Sequence, residues 1–485
     1  MAMLRYMKQN SGYSLLSVLV MFTVVSIIGL TLAGLTVNSL KFVSTSKTSI
    51  EEKASAEMAI DEAMAQIDNL IANVNSNISS NQLPPESIQA QVQASLDQVK
   101  SLGTHPFTLT HTPKNTANGV YVEHVTIKAP IGKSGKLITK TLDLSTVSEV
   151  FQYGVITPGD LGLYGAPYIE GNVLVGGDIK TFNFFGFPSI KGKLMVKGNY
   201  YTGLWGLTEF PPDETNLKKY FSIPPVIQQW RDTEIPSIDV INAIQSKSTP
   251  LKTSRTIFKL KDASQYPREA GYLFYSNLRV KKNESYTING NLVVAGNLQM
   301  EEGSNLTING SFMVYGTADL SGTLKFTENN YLYVKNKATL ANLILQGPIY
   351  ADDTVDITQN IMSNGTIYVR NGANFTDFYT TSQQQTVIVA SDGPIKLFFS
   401  NSDSENPKVM NAFFYTNSSL SMLGFLSNVK IVGGVYGNPI NLAAFNDTNS
   451  RLSIVYNQDM LKNLPLGIPT AAKITKKELN TIYGK

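Results

Sequence analysis

The sequence predicts a mainly β protein with a long N-terminal α-helix, in which a membrane-crossing helix is followed by a parallel β-helix, or β-solenoid. Two observations carry this. Tyr13 to Leu40 are 28 consecutive residues without Asp, Glu, Lys, Arg or His, more than the ~20 apolar residues a helix needs to cross a bilayer. Farther on, the pattern I-x-G-x-Φ-x-V-x-G occurs four times, as two pairs spaced 21 and 20 residues apart. A period near 20 residues marks coils that bury their apolar faces by stacking.

The leader before the apolar run, MAMLRYMKQNSG, carries Arg5 and Lys8 and ends in Gly12 followed by Tyr13. A secretory signal peptide would have a shorter apolar core and an A-x-A-like cleavage site, and neither is present. The combination of basic leader, Gly, aromatic and long apolar helix resembles the class III signal of type IV prepilins and type II secretion pseudopilins. That resemblance implies cleavage after Gly12 by a prepilin peptidase, methylation of the new amino terminus at Tyr13, and retention of the helix in the mature protein. It departs from the family in one place: the fifth mature residue, usually Glu, is Ser17. It also implies a single-pass protein of the cytoplasmic membrane with its N-terminus in the cytoplasm, later displayed at the cell surface on a pilus. Lys41 and Lys47 beyond the span balance Arg5 and Lys8, so charge asymmetry alone does not orient the helix. The acidic pair Glu51 and Glu52 favours the same orientation.

The chain has 485 residues, 42% hydrophobic and 10% aromatic, which is enough for a large packed core. Its net charge of +3 falls to +1 without the leader, which argues against a nucleic-acid partner. With no cysteine, neither disulfides nor thiolate metal sites contribute.

In order along the chain, residues 1–12 form the leader and 13–103 the membrane helix with a second short helix. Ile50, Ala54, Met58, Met64, Ile67, Ile71, Val74 and Ile78 continue the helical period, giving one helix to about Ser79 on the order of 100 Å long. Pro84-Pro85 must end it. A short amphipathic helix is expected from Glu86 to about Val99. Residues 104–150 switch to period two and predict a small β region. His105 and His111 are expected on one strand, roughly 20 Å apart and too far to share a metal. They and His124 are read as structural or solvent-facing. Residues 151–456 predict the solenoid, interrupted at about 205–268 by a proline-rich lobe lying on one side. Residues 457–485 are left as a tail. Phe413 to Pro469 resembles the C-terminal part of PilX-like pilus-assembly proteins, which carry a β-solenoid behind a prepilin helix.

Within the repeats Ile169, Ile190, Ile288 and Ile308 fall on even offsets and point into the coils. Offset five holds Leu174, Met195, Val293 and Met313, an apolar stripe. The expectation is that the glycine at offset two kinks the strand and turns these residues inward; a docking face is the alternative. Asn289 and Asn309 are expected to hydrogen-bond along the stack.

Asp352, Asp353 and Asp356 form the best carboxylate cluster, suited to Ca²⁺ or acid/base work, against the simpler reading of a charged solenoid turn. Phe184, Phe185, Phe187 and Trp205 could form an exposed aromatic patch, although such clusters more often pack loops onto a core. No P-loop, GxSxG or HExxH pattern occurs, and no cofactor, catalytic residue or metal site is expected. The expected function is a non-catalytic minor pilin or pseudopilin at the tip or origin of a fibre. Its partners would be other pilins through the N-terminal helix, the inner-membrane assembly platform, and a surface glycan or other host or substratum ligand if the tip is adhesive. The competing expectation is a membrane-anchored β-helix enzyme or carbohydrate-binding protein.

Overall fold

The computed structural model describes residues 3–79, 87–100, 105–114, 121–132, 135–183, 186–203, 207–230, 235–257, 259–266, 271–327, 330–380, 387–400, 406–425, 427–445, 452–457, 465, 467–468 and 470–484. A single helix, α1 (Met3–Ser79), runs the length of the N-terminal region. Its most apolar 18-residue window has mean hydropathy 2.6 and none of it is buried against the rest of the chain. Three hydroxyls in this half, on Thr23, Thr31 and Thr36, donate to carbonyls one turn back at 2.7–2.8 Å. They present no unsatisfied donor to an apolar surrounding.

The second half of α1 packs differently. Ala59, Ile60, Ala63, Ile67 and Val74 are buried, together with Ile88, Val92 and Leu96 of α2 (Ile88–Leu96), against Val125, Ile127, Leu142 and Leu144 of a sheet. From Met64 on the expected stripe is the buried one, with Met64, Ile67 and Val74 in the core and Ile71 and Ile78 packed against it. Nearer the membrane it departs: Ile50 and Met58 are exposed, and Ala56, Ala59 and Ala63 take the close positions because they let helix and sheet approach without steric bulk. The sheet has three antiparallel strands, β1 (Thr108–Lys114), β2 (Val122–Ile131) and β3 (Lys136–Val147). Its fourth strand is Thr470–Tyr483, pairing antiparallel with β3. The residues left as a tail by the sequence thus complete the N-terminal sheet. Asn75 of α1 holds them there, accepting from Ile474 N–H at 2.6 Å and donating to its carbonyl at 3.0 Å.

Between these ends the chain forms a parallel β-solenoid of about 13 turns. Ile169, Ile190, Ile288 and Ile308 are fully buried in its core. Ile169 pairs with Ile190, and Ile288 with Ile308. The Asn pair forms as expected, Asn309 Nδ2 donating to Asn289 Oδ1 at 2.8 Å. Where Ala318–Phe326 and its neighbours turn a corner within one strand, the pairing register shifts.

The coils do not stack in chain order. The first coil lies on the last: Val155 and Ile156 pair with Val435 and Tyr436, Leu161–Gly165 with Ile440–Ala444, and Tyr168–Glu170 with Ser453–Val455, all parallel. From there the chain runs outward to the coil at Lys193–Val196, crosses the whole solenoid, and returns coil by coil from Tyr272–Phe274. The crossing segment is the proline-rich lobe. At one end α3 (Glu214–Tyr220) closes the core with Leu217, helped by Phe210 and Phe221. At the other end Ile257, Leu260 and Ala263 do the same. Capped ends leave no open apolar core and short edges.

Between the caps the lobe is a strap, and it lies on the offset-five stripe. Successive strands place Met195, Leu174, Ile156, Tyr436, Tyr415, Ala390, Tyr368, Tyr350, Tyr333, Met313, Val293 and Leu273 in one outward column. The kink is therefore not what buries these side chains. The strands alternate as ordinary strands do, and the column is a docking face that the chain covers itself. Ile238, with Val240 and Ile244 of α4 (Val240–Gln245), packs on it. The Tyr415 hydroxyl accepts from Ile238 N–H at 2.7 Å and donates to its carbonyl at 3.2 Å. Lys247 sits 5.0 Å from the Tyr331 ring. Elsewhere the Tyr368 hydroxyl of the column donates to the Gly467 carbonyl at 2.7 Å, and beside the column Phe151, on the link from the N-terminal module, meets the Phe413 ring at 4.7 Å.

Replacing Ile308 by Asp puts an unpaired charge among buried neighbours and should cost on the order of 3–5 kcal/mol. Thermal unfolding of the full-length protein checks it: the melting temperature should drop sharply, and an unchanged melt would contradict the inward register.

Candidate functional site

Two surfaces could carry function: the bare half of α1, and the polar and aromatic side chains displayed by the solenoid. On α1 almost every side chain from Leu15 to Phe42 is exposed, Ser17 among them. A surface this apolar is stable only under lipid or packed against other helices. Gly12 and Tyr13 lie within the same helix.

The three aspartates singled out by sequence do not converge. Each is engaged with a neighbouring coil. Asp352 forms an ion pair with Arg370 and accepts from the Tyr333 hydroxyl at 3.0 Å. Asp353 accepts from Asn371 Nδ2 at 3.0 Å. Asp356 pairs with Lys337 and accepts from Asn374 Nδ2 at 2.9 Å. Burial works against the Asp356 carboxylate, but Lys337 and Asn374 outweigh it and hold its pKa below the usual value. Among the described residues no group of three or more His, Cys, Asp or Glu is placed to hold a metal ion. The cations that sequence reasoning missed, Lys337 and Arg370, lie about one coil away in the chain, and the solenoid period would have located them. They complete ladders between coils, the charged-turn role. Asp160 does the same with Lys180 at 2.6 Å and with the N–H of Asp178 at 2.9 Å.

Of the aromatic patch, Phe184, Phe185 and Trp205 lie outside the described residues. Phe187 is exposed.

The histidines all face carboxylates in the N-terminal module. His105, which precedes β1 rather than lying on it, is 3.9 Å from Glu62 of α1. His124 meets Asp143 across the β2–β3 pair at 2.7 Å. His111 bridges two, with Nδ1 2.7 Å from Glu123 and Nε2 3.1 Å from Asp97 just beyond α2. Glu123 is fully buried and also accepts from the Tyr121 hydroxyl at 2.8 Å and Gln93 Nε2 at 3.2 Å. Partial burial of the His111 ring disfavours its charged form, but Glu123 and Asp97 outweigh this and raise its pKa above 6.5.

No family model matches the chain, so the resemblance of Phe413–Pro469 to PilX-like proteins has no sequence-family support. No curated protein matches it in sequence. A solved structure to which the chain is similar is the competence-associated pilin ComZ from Thermus thermophilus, at 12% identity, with a TM-score of 0.21 over 79% of this chain and 85% of that one. So low a score gives that likeness no weight. The fold and surfaces define a long apolar helix, able by length and composition to cross a membrane, carrying a β-solenoid.

Because the His111 pKa is raised in the folded state, its contribution is complete below about 6.5 and is lost as pH rises through the folded value. Urea midpoints measured across neutral pH should fall on the alkaline side, and the fall should flatten in His111→Gln. An unchanged slope in that variant would remove His111 as the cause.

Proposed function

We propose that this chain is a non-catalytic minor pilin or pseudopilin, placed at the tip or origin of a type IV pilus-like fibre. The observation that carries the reading is the division of α1. One half is locked under an antiparallel sheet, and the other is bare and apolar over a length that spans a bilayer. Before assembly, lipid covers the bare half; in a fibre, the helices of other pilins replace lipid. The leader supplies the second support. In this reading a prepilin peptidase cuts between Gly12 and Tyr13 and methylates Tyr13, and an inner-membrane platform extracts the subunit.

The tip position rests on Ser17 and on bulk. An unpaired charge at membrane depth costs about 3 kcal/mol on insertion scales, and the acid usual at the fifth residue would neutralise the amino terminus of an adjacent subunit. A chain with Ser17 offers no such partner, which a terminal subunit does not need. A solenoid of about 13 turns on the side of the helix also suits an end better than a close-packed shaft.

Mass spectrometry of the mature N-terminus from cells with an active peptidase should find N-methylated Tyr13. An intact leader would leave an ordinary membrane anchor. Immunogold labelling of sheared fibres should place the protein at fibre ends; label along the shaft at major-pilin density would refute the tip assignment.

A further inference from the structure

The last turn of α2 is held to the rest of the N-terminal module by two kinds of polar contact. One is indifferent to pH. Gln66 of α1 donates from Nε2 to the Lys100 carbonyl at 3.0 Å and accepts the Lys100 N–H at 3.3 Å, and Gln93 of α2 donates to Glu123 at 3.2 Å. The other runs through His111 of β1, whose two ring nitrogens meet two carboxylates, Nδ1 at Glu123 and Nε2 at Asp97. An imidazole donates from both nitrogens only when it is charged; neutral, it has one N–H and one lone pair. The bridge therefore needs the proton.

The two carboxylates compete unequally for the one N–H of a neutral ring. Glu123 is fully buried and cannot exchange a lost donor for water, so losing it carries the desolvation cost of a buried charge. The Asp97 side chain is 73% exposed and can turn to solvent. The neutral ring thus keeps its N–H on Nδ1 toward Glu123 and sets the Nε2 lone pair against an Asp97 oxygen 3.1 Å away. Asp97 is also the C-cap of α2, and the partial negative charge at a helix C-terminus disfavours a carboxylate there unless a cation faces it. Every element around the ring has been counted in this balance. β2 supplies Glu123, with the hydroxyl of Tyr121 bonded to it, and α2 supplies Asp97. α1 brings Glu62, which meets His105 at 3.9 Å, and β3 sets Leu142 and Leu144 opposite Val125 and Glu123. The charges that act on His111 are those of Glu123 and Asp97.

We infer that His111 is a proton-operated clasp: charged, it ties the last turn of α2 to the buried Glu123; neutral, it keeps Glu123 and releases Asp97, and that turn frays from the sheet. The contacts at Gln93 and Lys100 confine the opening to the residues between them, where Leu96 is the buried side chain that loosens. The inference is independent of the fibre reading, since neither N-terminal processing nor position in a fibre enters it.

Hydrogen–deuterium exchange of the full-length protein in detergent, read by mass spectrometry and corrected for the intrinsic effect of pH, tests it at about pH 5.5 and about pH 8.5, either side of the ordinary histidine range. The N–H groups of Asp97, Gln98 and Val99 donate to the carbonyls of Gln93, Ser95 and Leu96, so fraying exposes them. Their protection should fall roughly tenfold at the higher pH, the effect of losing one charged hydrogen bond, while β3 stays as protected as before. In Asp97→Asn the amide accepts from the charged ring and donates to the neutral one, so protection of this turn should be the same at both pH values. Equal protection of the turn at both pH values in the wild type, a fall that β3 shares, or a fall that persists in Asp97→Asn would overturn the clasp.

Discussion

The architecture depends on one set of backbone hydrogen bonds, those by which the first coil stacks on the last. Parallel strands must be joined by crossovers, and a solenoid normally meets that need with the next coil. Here the chain begins in the interior of the stack and must reach a far end before it can wind back. The distance from Val226–Ile227 to Arg255–Thr256, the strands at the two ends of the stack, is roughly 60 Å at the strand spacing, and the 27 residues between Ile227 and Arg255 reach ~90 Å when extended. The strap is therefore long enough, and its route is fixed by the apolar column beneath it. The same closure returns the chain to the place where it left the N-terminal module, so Thr470–Tyr483 can complete the sheet that β3 leaves open.

Much of this was legible in the sequence. The four repeats gave the coil period and the inward side chains, and the apolar run gave the bare half of α1. The repeat that placed Ile169 over Ile190 is local, and local stacking is all that a period encodes. It could not say that Ile169 also lies beside Ile454, because nothing in the period distinguishes the coil next in the chain from the coil next in space. The offset-five stripe was visible as well, but its meaning depended on what covers it. Tyr415 bonding to Ile238 joins residues far apart in the sequence.

The displayed side chains follow the same division. The aspartates at 352, 353 and 356 were visible as a cluster because they are adjacent in the chain, and the structure distributes them to partners on neighbouring coils. The matching positions of Phe398, Leu423 and Ala443 with Tyr164 and Phe182 were invisible for the opposite reason: the two groups are more than 200 residues apart and are brought to adjacent strands by the closure. The covered column on the solenoid and the bare half of α1 are the two extremes, one apolar surface met by the chain itself and one met by nothing else in the chain.

The closure can be tested without interference from native thiols, because the chain has no cysteine. Ser453 and Tyr168 are paired across the junction between the last and first coils, and strand neighbours lie within the Cα separation of about 4.4–6.8 Å that a disulfide spans. The double variant Ser453→Cys, Tyr168→Cys should oxidise to one intramolecular disulfide in the folded full-length protein, detected as a mobility shift reversed by reductant and located by peptide mapping. If the coils stacked instead in chain order, these positions would stand at distant coils and no bridge would form; its absence in protein that melts like the parent would contradict the closure.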